Sequence, residues 1–322
     1  MTKQRWINKM MHVTIGVLLC LFLVGGGTNI YVAADAPSNV LFISSYSYSF
    51  DSVPDQVEGI KSVLDEKYVN YDLEFMDTKR FNSGRNYENY YDFLNYRLSS
   101  RKPYDVIIVG DDNALQFLLD HEDTLVKDVP VVFLGINDMN RVNDATSRPN
   151  YTGIYEEMSV EENIELAQRL QPELKEVVAI YDNTRTGIGE YEAFMAVSHQ
   201  YPDIQFSGIN YSEVSRVDFE TRLSTLNHSQ ALMYLSMIEN NMQQVITVDE
   251  AVQEIVRLTE TVVYTPTIGG SGKGLLGGYS VSYFEHGRLA AQIAVDIIQG
   301  KKLEDIPVIT ESPNQYIIDY NV

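Results

Sequence analysis

The sequence predicts an α/β protein of two doubly wound parallel-sheet lobes, joined by a hinge and separated by an interlobe cleft. Three observations carry this. From residue 39 onward, short apolar runs ending in polar tips alternate with amphipathic helical stretches, the pattern of parallel strands covered by helices on both faces. The alternation breaks once, at the polar run 139–150 (MNRVNDATSRPN), and then restarts. The 322 residues are enough for an N-terminal segment and two domains of ordinary size.

In the first half, residues 39–45 (NVLFISS) read as a buried strand. Residues 53–68 follow as a helix with Val57, Ile60, Val63 and Leu64 on one face. Residues 71–76 alternate as a strand, 87–98 are helical, 104–110 (YDVIIVG) form a strand, 113–125 a helix and 129–135 (VPVVFLG) a strand. Residues 139–150 are expected as a loop, followed by a short strand at 151–155. The second half repeats the unit: helices at 160–170, 189–201, 217–225 and 248–258, with strands at 176–181, 204–209 and 231–235. Extended segments follow near 263–266 and 276–280. A final helix at 284–300 carries Leu289, Ala290, Ile293, Ala294 and Ile297 at helical spacing, before extended segments at 306–309 and 315–318. The expected organisation is therefore an N-terminal segment (1–34), an N-terminal lobe (35–138), a hinge crossover (139–155), a C-terminal lobe (156–280), and a final helix with a strand returning to the hinge (281–322). Two such lobes create a cleft at the carboxyl ends of their strands.

Residues 1–34 read as an export segment. Lys3, Arg5 and Lys9 precede the uncharged stretch 13–34, whose apolar centre is 13–24. Val32-Ala33-Ala34 suits cleavage of a signal peptide. Counting the weakly apolar 25–29, the stretch also reaches the length of an anchor, so both readings stand. Either places the remainder on the extracellular face of the cytoplasmic membrane, anchored or released. Leu19 before Cys20 does not fit a lipoprotein signal. Cys20 is the only cysteine, so the exported part has no thiol, which excludes disulfides, cysteine-zinc sites and cysteine nucleophiles there. A net charge of −21 argues against nucleic acid or anionic lipid as partner of the folded part.

Polar clusters follow the strands: Ser44-Ser45-Tyr46-Ser47-Tyr48, Asp77-Thr78-Lys79-Arg80, Asp111-Asp112-Asn113 and Gly135-Ile136-Asn137-Asp138 in the first half. Tyr181-Asp182-Asn183-Thr184 and Met237-Ile238-Glu239-Asn240 follow in the second. Each type suits helix N-capping, but six clusters on one rim point to a binding cleft. Tyr46, Tyr48, Tyr181 and Tyr279 stand where a ligand can stack. The run 269–274 (GGSGKG) fails as a phosphate loop, with Thr267 and Gly274 at positions that need glycine and Ser/Thr. It fails as a nucleophile elbow because Lys273 replaces the last glycine, and a cleft-edge loop is expected. The histidines show no metal-ligand spacing or triad context. No catalytic residue, metal or cofactor is assigned, and a non-enzymatic binder is expected over an exported hydrolase.

The segments NVLFISSYSYSF, LEFMDTKR, YDVIIVGDDNALQFLL, VPVVFLGIND, YTGIYEEMSVEENIELAQRLQP and SPNQYIIDY resemble the ABC-transporter substrate-binding-protein-like family, over roughly residues 38–320. The resemblance implies a type I periplasmic-binding fold and a small-molecule ligand. It implies two uses: the extracellular sensor of a membrane-bound histidine kinase or diguanylate cyclase, or the binding protein of an ABC importer, some of which take up aromatic amino acids. The DTKR and DDNALQFLL wording is closer to the sensor branch, which is the first expectation. The importer, with an ABC permease as partner, is the alternative. A sensor reading makes the end at Val322 that of a truncated chain. The resemblance carries ligand binding to Ser45, Tyr46, Asp77, Thr78, Asp111, Asp112, Asn113 and Asn137, and in the second half to Asp182, Thr184 and Glu239. An amino-acid ligand suits these groups, with hydroxyls and helix N-termini for the carboxylate, an Asp for the ammonium and a tyrosine for the side chain.

Overall fold

The computed structural model describes residues 38–322, except 101–103, 243, 268, 269 and 271; of residue 185 it describes only the backbone. The export segment, with Cys20, lies outside the described residues. Among the described residues, no helix is long and apolar enough to cross a membrane.

The first lobe runs β1 (Asn39–Ser44), α1 (Ser52–Leu64), β2 (Asn70–Phe75), α2 (Gly84–Ser100), β3 (Val106–Gly110), α3 (Asp112–Asp120), α4 (Glu122–Leu125), β4 (Val131–Ile136), α5 (Met139–Thr146) and β5 (Tyr151–Tyr155). Its five strands are all parallel, in the order β2-β1-β3-β4-β5. The second lobe runs α6 (Val160–Leu170), β6 (Glu176–Tyr181), α7 (Arg185–Ala196), β7 (Gln205–Asn210), α8 (Arg216–Ser224), β8 (Gln230–Tyr234), α9 (Val248–Leu258), β9 (Val263–Tyr264) and β10 (Gly277–Ser280). Then come α10 (Tyr283–Ile298) and β11 (Gln315–Ile318). The second sheet has the order β11-β10-β9-β8-β6-β7, with only β11 antiparallel.

Each sheet is buried on both faces, which is why its central strands are continuous apolar runs. In the first lobe, Leu41, Ile43, Ile107 and Val109 meet Leu94, Leu115 and Leu118 from α2 and α3. On the other face Val40, Phe42, Val106 and Ile108 meet Val57 and Ile60 of α1 and Ala290, Ala291 and Ala294 of α10. In the second lobe, Val178, Ile180 and Leu232 face Phe219, Leu223, Val252 and Ile255. Val177, Ala179 and Met233 face Ile164, Ala167 and Phe194.

The final helix therefore packs on the first lobe, although the strands before and after it belong to the second sheet. Its approach to α1 is close because two glycines meet the opposing backbone. A methyl group on Gly59 would lie 2.0 Å from the Phe284 carbonyl oxygen, and one on Gly287 2.1 Å from that of Gln56.

The run 139–150, expected as a loop, is largely helical. Asp138 caps α5 by accepting from Asn140 N, and Val142 and Ala145 bury its inner face. Eight residues with only two apolar anchors are too few for helical periodicity to show in the sequence. Because α5 packs in the first lobe and β5 pairs with β4, the chain leaves this lobe after Tyr155 rather than within 139–155. The helix expected over 113–125 is split at His121 into α3 and α4.

The chain crosses between lobes after β5, after β10 and before β11. One hydrogen-bonded chain ties these crossings together. His286 Nε2 is 3.3 Å from Ser312 Oγ, and Ser312 Oγ donates to Asn314 Oδ1 at 2.7 Å. Asn314 Nδ2 donates to the Glu157 carbonyl (2.8 Å) and to Ser159 Oγ (2.7 Å). Asn163 Nδ2 continues to the Ser159 and Tyr279 carbonyls at 2.6 and 2.8 Å. Burial pushes the His286 imidazole down to about 4, so it is neutral here at physiological pH. Asn314→Ala removes two part-buried hydrogen bonds from this chain. It is expected to cost about 1–3 kcal/mol in urea unfolding, and a variant as stable as the parent would mean the chain does not brace the crossings.

Candidate functional site

Both sheets reverse their strand order at an internal point, between β1 and β3 in the first lobe and between β6 and β8 in the second. The crevice outside the carboxyl ends at such a point is where open α/β sheets bind ligands. Ser45, Tyr46 and Asp111 emerge at the first crevice, and Asp182 and Ser236 at the second. The two crevices face each other. Lys79, beyond β2, lowers the proton affinity of both Asp111 in the first lobe and Glu190 on α7 in the second. Glu156, where the chain leaves β5, feels the charges of Asp111 and Glu190 together.

Of the eleven expected residues, Tyr46, Asp111 and Asp112 converge on this cleft. Asp112 is held by Arg141 of α5, Nη1 to Oδ1 at 2.7 Å. Three others form a bracket beneath it. Ser45 Oγ donates to the Gly110 carbonyl and accepts from Ala114 N, both at 2.8 Å. Thr78 Oγ1 donates to the Ser45 carbonyl at 2.9 Å and accepts from Asn113 Nδ2 at 2.8 Å. Asp77 grips Arg80 Nε through both oxygens, at 2.9 and 2.8 Å. Asn137 is exposed on the turn before α5.

In the second lobe Asp182 is fully buried and organises its own loops. Its Oδ1 accepts from Thr184 N (3.1 Å) and Oγ1 (2.5 Å). Its Oδ2 accepts from Ser236 Oγ (3.1 Å), Ile238 N (2.7 Å) and Glu239 N (3.3 Å). Thr184 caps α7 by accepting from Gly187 N at 3.0 Å. Glu239 enters this network through its backbone, its carbonyl accepting from Ser212 Oγ at 2.7 Å.

The remaining cleft groups lay outside the expected set. Gln56, on the buried face of α1 and fully enclosed, reaches Asp111 Oδ2 with Nε2 at 3.5 Å. Lys79 Nζ lies 4.8 Å from the Tyr46 ring centre and 5.3 Å from that of Phe50, within cation–π range. Glu156 and Glu190 keep some exposed surface, yet each hides Oε2 from solvent without a hydrogen-bond partner among the described residues. Tyr283, at the start of α10, senses Glu156, Asp111 and Glu190. Of the other tyrosines singled out, Tyr181 stacks on Tyr191 with ring centres 3.8 Å apart, Tyr48 meets Phe75 edge-on, and Tyr279 packs on Tyr316. In the glycine-rich run 269–274, which lies partly outside the described residues, Lys273 pairs with Asp249.

Asp111 is held in an unusual backbone conformation, φ 66° and ψ 164°, a region essentially reserved for glycine and costing about 1–3 kcal/mol. Its backbone is fixed by bonds from Asp111 N to the Leu134 carbonyl (3.0 Å) and from Leu115 N to its own carbonyl (3.2 Å). The result aims the carboxyl at a space left by Gly135. A methyl group there would sit 3.1 Å from Asp111 Oδ1, 3.4 Å from Gln56 Nε2 and 3.5 Å from Glu156 Oε2. Two carboxyl groups and an amide thus converge beside Gly135.

Burial dominates the electrostatics. It pushes Asp111 up to about 7, with Asp112 adding and the Gln56 hydrogen bond and Lys79 opposing. It pushes Glu190 up to about 8, Asp182 adding and Lys79 opposing. Glu156 is raised well above the carboxylate range by burial and then by Asp111, Asp112 and Glu190. Burial, then Asp111 and Asp112, raises the Tyr46 phenol, so it remains a neutral donor. Such a cluster either holds protons or receives a cation. Among the described residues, no group of His, Cys, Asp and Glu is arranged to hold a metal ion.

Fold and cleft together define a two-lobed small-molecule-binding protein. The family model described as ABC transporter substrate binding protein matches residues 45–322, and the chain belongs to that family. Its members are extracellular or periplasmic. The chain is 22% identical over 204 residues to a tyrosine-binding protein of Clostridioides difficile, an alignment covering 60% of this chain and 55% of that protein. A ligand-free, open substrate-binding protein with adhesive properties from Clostridium difficile superposes with a TM-score of 0.64 at 16% identity, over 88% of this chain and 92% of the other. A Streptococcus pneumoniae ABC domain in complex with L-Trp gives 0.60 at 16% identity, over 89% and 93%. A Bacillus halodurans solute-binding protein with bound myo-inositol gives 0.56 at 13% identity, over 89% and 97%. At these identities the likeness is one of fold, the two-lobed parallel-sheet architecture expected from the sequence.

Proposed function

We propose that this chain is the non-enzymatic binding component of an ABC importer, and that its lobes close on a small molecule bearing a protonated amine, most simply an amino acid. The family match supports the importer reading over the sensor ectodomain that the sequence wording favoured. The partner is then an ABC permease, with the N-terminal segment serving for export or attachment. The observation that carries the ligand class is the convergence beside Gly135 of Asp111 Oδ1 and of Glu156 Oε2, which has no hydrogen-bond partner among the described residues. An ammonium group satisfies both carboxylates and offsets the cost of ionising them in a buried site. The ligands named for two relatives, tyrosine and L-Trp, support an amino acid.

A thermal-shift and calorimetric panel of the common amino acids tests this, since a ligand that binds only the folded state raises its apparent stability. At least one member is expected to bind; a panel without a shift or heat would sink the reading. The pH dependence has a defined sign. Asp111 and Glu190 have folded-state values of about 7 and about 8, above their ordinary ones. In the ligand-free protein their contribution to stability is present in acid and is lost as pH rises through these values. Protons compete with the ligand's ammonium for the same oxygens, so affinity is expected to rise from pH 6 to pH 8.5 and binding near neutrality to release protons. Affinity that falls over this range would contradict an ammonium partner.

A further inference from the structure

The cleft presents more buried carboxyl groups than a zwitterion with one ammonium can engage. Asp112 is already balanced by Arg141 at 2.7 Å. Asp182 accepts from five donors inside its own lobe and needs nothing from a ligand. That leaves Asp111, Glu156 and Glu190 facing the cleft, with Lys79 as the cation acting on Asp111 and Glu190. An amino acid with an uncharged side chain adds no net charge. Its ammonium engages the Asp111–Glu156 pair, and its carboxylate competes for Lys79. Glu190 Oε2 then remains buried and unpartnered on the opposite lobe.

Asp111 supplies an independent pointer. It is only 6% exposed, and among the described residues its one hydrogen bond to a side chain is the 3.5 Å contact from Gln56. Its Oδ1 lies beside Gly135, on the side where Glu156 Oε2 also approaches. The cleft's aromatic surface also accepts cations, since Lys79 already lies over the Tyr46 and Phe50 rings. After burial as the main cause, Glu190 raises the phenols of Tyr234 on β8 and Tyr283 on α10, so both lie near it.

We infer that the ligand carries two cationic groups, its α-ammonium at Asp111 and Glu156 and a second amine at Glu190: a diamino acid of the lysine or ornithine class. The inference rests on the amine-binding reading above and narrows it. The second amine spans from one lobe to the other, so its pairing with Glu190 forms only on closure. Pairing across the cleft gives the ligand the better fit to the closed form that a population shift requires.

The test compares L-lysine with L-norleucine, which keeps the carbon stem and lacks the second amine, on the full chain by calorimetry at pH 7.5. L-Lysine or L-ornithine is expected to bind at least about tenfold tighter than L-norleucine, the size of one charge-assisted hydrogen bond. Glu190→Gln is expected to bring the two to within about threefold, and a melting temperature within a few degrees of the parent's reports that the variant is folded. L-Norleucine, L-tyrosine or L-tryptophan binding as tightly as every diamino acid would overturn this inference and leave the amino-acid reading intact. A lysine preference that survives in Glu190→Gln would overturn the role of Glu190. No binding by any of these ligands would overturn both the inference and the reading beneath it.

Discussion

Asp111→Asn is expected to weaken ligand binding by about 10- to 100-fold, the loss of one charged partner of an ammonium group, without lowering the melting temperature. Asparagine keeps the shape, accepts the Gln56 hydrogen bond, and is among the non-glycine residues that best tolerate positive φ. What it removes is the charge. The parent carboxyl is pushed up to about 7 in the fold, chiefly by burial. Ionised Asp111 therefore opposes folding once the pH passes that value, and its contribution is favourable only in acid. The variant should match or exceed the parent's stability at pH 8 and lose any advantage at pH 5. Calorimetric titration with the panel's best ligand, alongside melts at the two pH values, separates the effects. Unchanged affinity would remove Asp111 from the site, whatever the melts show.

Gly59→Ala is expected to cost about 3 kcal/mol or more, the upper part of the range for forcing a methyl group into a packed interface. The added carbon would stand 2.0 Å from the Phe284 carbonyl oxygen and 2.7 Å from Arg288 N, both backbone atoms of α10. Backbone cannot rotate aside as a side chain can, so the helices must separate. Such a shift reaches the cleft, because α1 carries Gln56 and α10 begins with Tyr283. Gly189→Ala is the control. That glycine lies inside α7 with nothing within 4 Å of the added carbon, and alanine there should stabilise by roughly 0.5–1 kcal/mol. Urea unfolding of both variants checks the pair, and a Gly59→Ala cost below about 1 kcal/mol would mean the helices do not meet this closely.

Much of the architecture was legible because its signals are local. Strands such as 39–45 and 104–110 are apolar throughout, which only a sheet covered on both faces requires. In the helix 139–146 only Met139, Val142 and Ala145 are apolar, too short a run to set a period against its loop-favouring Asn, Asp and Thr. The return of α10 to the first lobe, fixed by Gly59 and Gly287 far apart in sequence, leaves no local trace.

The site divides the same way. Tips after strands mark the carboxyl end of each sheet, where Tyr46 and Asp111 stand. Composition does not distinguish a carboxylate that awaits a ligand from one already supplied with donors. Asp111 and Asp182 occupy equivalent tips, yet among the described residues the carboxyl of one has a single long hydrogen bond and that of the other five. Gln56 carried a weak signal, a polar residue on the apolar face of a helix beside Val57 and Ile60. Lys79 stood within a tip already singled out. Glu156 followed a strand assigned to the hinge, and Glu190 lies in a helix whose buried side only the tertiary fold defines.

The most direct test is a crystal structure of the chain with the tightest-binding member of the amino-acid panel. The ligand is expected between the two lobes, its α-ammonium nitrogen within about 3 Å of a carboxylate oxygen of Asp111 or Glu156. A ligand bound outside the cleft, or one in the cleft with its ammonium turned away from both carboxylates, would contradict this account of the site.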